Sequence, residues 1–478
     1  MLFLLGGYLL FDRAFAWIHI PGTPVFLGEL GLGFGLFVIL QTPHLGRVLR
    51  LSRPIQLLGG FMLWGFALTF QGIEEWGIDA VRDSVLWYYG LFAIITAVML
   101  LYKPALWDEL VDKFTKFIPF FLVVMIARLA LGNVSFGPRI PDSSTRLVSH
   151  KSANIAVNVA IALAFLILVV GPSGSRKLQK RATAMTLLGL LLIVGAGTQS
   201  RGGFLAALFI LGVVFVLARH ARGAMVGVLI VSVMVGIMAA ALDVKFQLDR
   251  RELSVSQVIE NIQSISEEAT SGSRFDNTTQ WRLSLWGDVL DDILLQENVF
   301  AGRGFGENLA VRYKVAARSS VPLRNPHNSH LSVVARMGMV GAFLWLAMFG
   351  TWFVHLARSR RLYIELGEAR RANLSTWVML AMTGILLNAF FDPTIEGPQV
   401  GVWAWTLFGM GAVLGLGARA SRSPRKRRTA GSDDGWLLRQ KSPPTSAAHP
   451  SMPGAGMDEI VKTFDELIGK TEDDLADE

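Results

Sequence analysis

Twelve stretches of this chain are apolar for close to the length of a bilayer crossing, and that feature rules out most folds. They lie at about 2–20, 25–42, 55–72, 84–102, 114–132, 153–171, 182–199, 203–218, 224–242, 329–355, 374–391 and 400–418. A helix needs about 20 apolar residues to cross roughly 30 Å of hydrocarbon. Buried strands of a soluble α/β protein need runs of only about 4–8. Charged residues make up 17% of the chain, against about 25% in a soluble domain. The expected fold is all-α, a polytopic membrane protein with about 12 transmembrane helices.

Charge sets the order of the spans. Cytoplasmic gaps of a membrane protein are enriched in Lys and Arg. With the N-terminus inside, the inside gaps hold seventeen basic residues and the five short outside gaps hold five, namely Arg82, Arg139, Arg146, Lys151 and Arg201. A missed or extra span would scramble this alternation, so both termini are expected in the cytoplasm. The seventh and eighth spans need a turn between them. Residues 182–218 as one helix would be about 55 Å long. Both flanks are basic, so the chain must double back at TQSRGG, which puts Arg201 at the outer face, opening a helix.

One outside gap differs from the rest. Residues 243–328 form a loop of 86 residues, long enough to escape the charge rule. Apolar residues recur at helical spacing in two parts of it: Val258, Ile259, Ile262 and Ile265, then Leu285, Trp286, Val289, Leu290, Ile293 and Leu294. A helical extracytoplasmic cap between spans nine and ten is expected. The domains are then 1–242 (spans one to nine), 243–328 (the cap), 329–418 (spans ten to twelve) and a cytoplasmic tail, 419–478. The tail starts basic, as suits contact with anionic membrane lipids, and continues Ser/Pro/Gly-rich, which predicts disorder. Its acidic end repeats Ile460, Val461, Phe464, Leu467 and Ile468 at helical spacing. That end is either a docking helix for a protein partner or a frayed terminus.

The net charge of +8 does not mark a nucleic-acid binder, because the basic residues sit in the short gaps between spans. With no cysteine, disulfides and thiolate metal sites are excluded. No DxD or HExxH cluster faces outside, and no Walker loop or GxSxG occurs, so neither a metal nor another cofactor is expected.

Candidate residues gather at the outer face. Arg201 precedes Gly202 and Gly203, and free N–H groups at a helix start favour an anion. The arginine adds a fork suited to phosphate; the bland alternative is a tight turn. Arg282 lies between Trp281 and Trp286, which suit either a sugar face or a membrane-resting helix. His327 stands just outside span ten, where a neutral imidazole can accept a proton, and His330 shares its face; both histidines can equally be helix caps. Within the spans, Asp12, Arg13, Arg128 and Arg336 are charges in hydrocarbon, either functional or held in buried ion pairs. GRGFGE, 302–307, reads as a loop turn rather than a nucleotide site.

Three features taken together resemble the O-antigen ligase and polymerase family of bacterial envelope glycosyltransferases. They are the SRGG turn opening span eight, the long outside loop with an arginine and the GRGFGE segment, and His327–Asn328 followed after nine residues by Gly338-Met-Val-Gly341. The resemblance covers roughly 180–345. It implies transfer of a glycan from an undecaprenyl-pyrophosphate carrier to an acceptor hydroxyl, on lipid A-core or on another glycan, at the outer face of the bacterial inner membrane. Arg201 and Arg282 are then expected at the pyrophosphate and His327 as the base. Asn328 is expected to orient it or bind sugar, and Gly338 and Gly341 to let span ten pack closely. Arg336 departs from the family pattern, which often has an acidic residue there. The rival is a transporter or flippase for lipid-linked glycans. Its long connection would be expected after span six on the cytoplasmic side, with broken or charged helices at the midplane, and few such helices are visible here.

Overall fold

The computed structural model describes residues 1–42, 45–131, 139–140, 151–173, 176–197, 199–223, 225–227, 230, 234, 246–248, 251–253, 274–295, 298–313 and 324–422. Its helices are α1 (Leu2–Phe11), α2 (Arg13–Ala16), α3 (Leu27–Leu40), α4 (Leu45–Leu51), α5 (Arg53–Trp76), α6 (Ile78–Asp83), α7 (Val85–Tyr88), α8 (Leu91–Tyr102) and α9 (Leu106–Leu131). There follow α10 (Ser152–Phe165), which continues through a π-turn to Val170, then α11 (Arg176–Gly197) and α12 (Arg201–Leu217). The last are α13 (Arg274–Leu294), α14 (Leu309–Arg312), α15 (Ser329–Glu365), α16 (Ala369–Ala389) and α17 (Pro398–Arg422).

Among the described residues, eight helices are long and apolar enough to cross a membrane when α6–α8 are taken as one run, Ile78–Tyr102, and α1, α3 and α12 are shorter apolar helices. The expected ninth span, 224–242, falls almost wholly outside the described residues, as do the amphipathic stretch at 254–265 and the tail from 423. The chain is a mostly helical, multi-pass membrane protein. Inside the long loop a short hairpin accompanies the helices: β1 (Phe246–Leu248) pairs antiparallel with β2 (Arg251–Leu253).

Two helices form the centre. Nearly all of Ser152–Val170 and of Pro398–Gly417 is buried inside the protein. Small residues permit this, since helices in a bilayer associate mainly by close packing. A Cβ at Gly409 would stand 2.3 Å from the Ala93 carbonyl oxygen. Around the outside, Phe34, Phe37, Leu63, Phe66, Phe70, Phe343 and Leu346 are exposed, as suits side chains solvated by lipid.

Few broken helices were expected, yet two breaks matter. At Asp12 the backbone takes φ 49° and separates α1 from α2. The Asp12 carboxylate is buried and pairs with Arg128 at 3.4 Å, with the Asn154 amide at 3.3 Å. Asp12 and Arg128 are thus a buried ion pair, while Arg13 is exposed.

The second break is inside α15, at Gly338 (φ 60°, ψ −162°). It frees backbone groups about 14 Å along the helix from Ser329 at 1.5 Å per residue. A bilayer offers them no water, so protein must satisfy them. Residues 298–304 run alongside and do so. The Arg303 and Gly304 amides donate to the Ala335 and Arg336 carbonyls at 2.8 and 3.0 Å, and the Met339 amide donates to the Val299 carbonyl at 2.8 Å. The Trp64 indole donates to the Met337 carbonyl at 3.0 Å. Only glycine fits at the crossing: a Cβ on Gly338 would lie 2.3 Å from the Phe300 carbonyl oxygen, and one on Gly302 (φ 68°) 2.6 Å from the Gly338 nitrogen.

Gly338 therefore admits a loop rather than a neighbouring helix, and a Cβ on Gly341 would meet Met337 of its own helix. GRGFGE is the loop it was read as, with Gly302, Gly304 and Gly306 all at positive φ and Phe305 fully buried. Arg336 lies under this loop and pairs with Asp83 at 2.9 Å. Arg324 reaches the same carboxylate at 3.0 Å and Asp79 at 3.3 Å. Arg336 is thus a buried structural ion pair. On α13, Leu285, Val289 and Ile293 are buried, but Leu290 and Leu294 are exposed, against the expectation of one apolar face. Asp292 between them grips Arg303 through Nε at 2.8 Å and accepts from the Tyr313 hydroxyl at 2.7 Å.

Gly338→Ala is expected to lower the thermal midpoint of the purified protein, because backbone strain of about 1–3 kcal/mol adds to the clash. Gly350→Ala on the same helix meets no atom within 4 Å and is expected to be neutral. Thermal fluorescence in detergent checks both; equal midpoints would contradict the interlock.

Candidate functional site

The starts of α10, α12, α15 and α17 meet at one end of the bundle. The Ser152 hydroxyl donates to Gln199 Oε1 at 2.7 Å, tying α10 to the turn before α12. A Cβ at Gly203 would lie 2.4 Å from Ala153 Cα, and one at Gly202 2.6 Å from Phe391 Cβ. The two glycines of SRGG thus let helix and loop press together. The same contact sets Arg201 beside the segment 390–397, which joins α16 to α17 as a strap.

His327 sits in the sharp entry to α15, with φ 54°. Few residues other than glycine hold that conformation, and they do so only where the surroundings impose it. Asn328 is buried, and its side chain caps α15 by accepting from the His330 and Leu331 amides at 3.0 and 3.1 Å. Its side-chain oxygen is therefore committed to the cap rather than to sugar. From α13, the Trp286 indole donates to the Pro326 carbonyl at 3.2 Å, so α13 holds the His327 segment directly.

The two histidines separate in role. His330 Nδ1 accepts from the Trp345 indole at 3.1 Å, which leaves Nε2 to donate to the Leu386 carbonyl at 2.9 Å. Both nitrogens are committed, and the ring packs on Phe390. His327 instead faces charge. Burial pushes its pKa down to about 4, with Asp392 opposing and Arg282, Lys151 and Arg13 reinforcing the fall. Arg282 is itself half-buried; burial lowers its pKa and Asp392 opposes that too. Lys151 forms an ion pair with Asp392. The site therefore gathers His327, Arg282 and Lys151 around Asp392, with Arg13 bearing on His327 and Arg201 next to the strap. Arg336 pairs with Asp83 under the GRGFGE loop and bears on Glu396 rather than on His327.

Sequence reasoning missed Asp392 and Glu396. Both lie in the short gap DPTIEGPQ between the last two spans. That gap has no Lys or Arg, so a tally of basic residues passes over it. Two carboxylates in so short a gap between spans were the available signal. Glu396 Oε2 accepts from the Asn325 amide at 3.1 Å. Among the described residues, no group of three or more His, Asp or Glu side chains is placed to hold a metal ion.

Residues 184–346 match the family model described as O-antigen ligase. The chain carries an O-antigen ligase domain. The motifs from which the family resemblance was read fall within it. Curated proteins offer no match. The O-antigen ligase domain supplies Arg201, Arg282 and His327, whereas Arg13, Lys151, Asp392 and Glu396 lie on either side of it in sequence. The helices flanking the O-antigen ligase domain thus complete the charged cluster.

A histidine whose pKa is lowered on folding contributes stability at pH above its unfolded value, and that contribution is lost as pH falls through the folded value. For His327 the window is from 6.5 down to about 4, worth up to about 3 kcal/mol. The wild-type midpoint is expected to fall more steeply over that window than that of His327→Asn. Parallel curves would contradict a buried, neutral His327.

Proposed function

We propose that the protein transfers a glycan from an undecaprenyl-pyrophosphate carrier to an acceptor hydroxyl, at the outer face of the bacterial inner membrane and with both termini in the cytoplasm. The observation that carries this is the half-buried His327 imidazole on which Asp392, Arg282 and Lys151 bear, with Lys151 paired to Asp392, within a chain that has an O-antigen ligase domain. The charge bias of the gaps supports the orientation.

In the proposed reaction the carrier diphosphate lies against Arg282 and Arg201. The first turn of α12 adds amide donors and the positive end of its dipole. The acceptor oxygen attacks the anomeric carbon, and the bond from that carbon to the diphosphate oxygen breaks. Undecaprenyl pyrophosphate leaves as the anion that the arginines stabilise. His327 takes the hydroxyl proton, and Asp392 steadies the imidazolium that results. The arriving diphosphate offsets the cations that hold down the His327 pKa, so donor binding itself makes the base stronger. The leaving group is already activated, so the step draws on no nucleotide. The break in α15 is filled by the protein's own loop, which favours an enzyme over a transporter.

His327→Ala, Arg201→Ala and Arg282→Ala are each expected to lower transfer at least about 100-fold at normal protein levels. The assay uses full-length protein in liposomes, an undecaprenyl-pyrophosphate-linked disaccharide, and product mass. Elongated carrier-linked glycan identifies a polymerase, and glycan on lipid A-core a ligase. Full transfer by His327→Ala would overturn the base; lipid crossing the bilayer with no product would favour a transporter.

A further inference from the structure

The strap 390–397 is pinned to the start of α15. The Ser329 hydroxyl donates to the Asp392 carbonyl at 3.4 Å and accepts from the Ile395 amide at 3.3 Å. From the next residue, Glu396 holds Asn325, whose amide donates to Oε2 at 3.1 Å. Asn325 is two residues before His327, and the Asn328 cap comes one residue after it. The left-handed turn at His327 is therefore gripped on both sides, by the cap and by Glu396.

We infer that Glu396 is a positioning residue for His327: by holding Asn325 it imposes the strained turn that keeps the imidazole facing Asp392 and Arg282. Its effect on transfer rests on the reading of His327 as the base, but the positioning does not. The neighbours of Glu396 suit such an anchor. Burial pushes its carboxyl up to about 7, with Ser332, Arg336 and Ser329 opposing from α15 and Asp83 reinforcing from α6. Near neutral pH it is shared between acid and anion, and either form accepts from Asn325. Glutamine offers the same acceptor oxygen.

The test uses full-length protein in liposomes. Access to His327 is read by diethylpyrocarbonate modification and mass spectrometry. Transfer is read as release of undecaprenyl pyrophosphate from an undecaprenyl-pyrophosphate-linked disaccharide. Glu396→Ala is expected to change the rate of His327 modification several-fold. It is also expected to lower kcat about 10- to 100-fold, as misplacement of a reacting group does, with the donor KM within about twofold. Glu396→Gln is expected to restore both, and Asn325→Ala to repeat the alanine effect, which carries the test if Glu396→Ala fails to fold. Unchanged His327 modification in both alanine variants overturns the inference, and so does an equal loss in the Gln and Ala variants. Full transfer by His327→Ala overturns the base instead and leaves the positioning, read by modification, standing.

Discussion

A backbone carbonyl or amide inside a bilayer has no water to turn to, and the break at Gly338 depends on that constraint. The break opens the ladder of α15 and would be costly if left unfilled. Residues 298–304 fill it with their own amides and carbonyls, and Trp64 takes up one carbonyl more. The loop is thereby held at a fixed depth against the helix. The arginines around it follow from the same arrangement. Arg324 and Arg336 share Asp83, so the segment leading to His327 is tied to α6. Arg303 and Asp292 tie the loop to α13.

On that frame sits a charged cluster. Burial lowers the His327 pKa most; Asp392 opposes that fall, and Arg282, Lys151 and Arg13 reinforce it. An anion entering the cluster relieves repulsion among the cations and, by the same interactions, makes the imidazole more basic. Binding and activation of the proposed base are then two consequences of one charge. This is why the account joins the diphosphate site to His327 rather than treating them as separate subsites.

Much of this was legible in the sequence. Among the described residues, eight of the apolar runs coincide with helices long enough to cross a membrane and three with shorter apolar helices, and SRGG, GRGFGE and His-Asn-x9-Gly-x-x-Gly mark the segment that matches the O-antigen ligase family. What the sequence did not show is tertiary in origin. Nothing local distinguishes a glycine that lets two helices meet from one that breaks a helix to receive a loop, so Gly202, Gly203 and Gly338 could be flagged but not explained. Arg336 could be read either as functional or as half of a buried ion pair, because its partner, Asp83, is far away in sequence. Asn328 carried a motif's implied role, and its side-chain oxygen caps α15. Asp392 and Glu396 lie outside the matched segment and become visible only when the strap is laid against α15.

The most direct measurement is an electron cryomicroscopy map of the full-length protein with undecaprenyl pyrophosphate in a lipid nanodisc. The account predicts diphosphate density between Arg201 and Arg282, within hydrogen-bond reach of the His327 end of α15, with Lys151 drawn from Asp392 toward it. Diphosphate bound at the opposite end of the bundle, or at this end but away from both arginines, would contradict it.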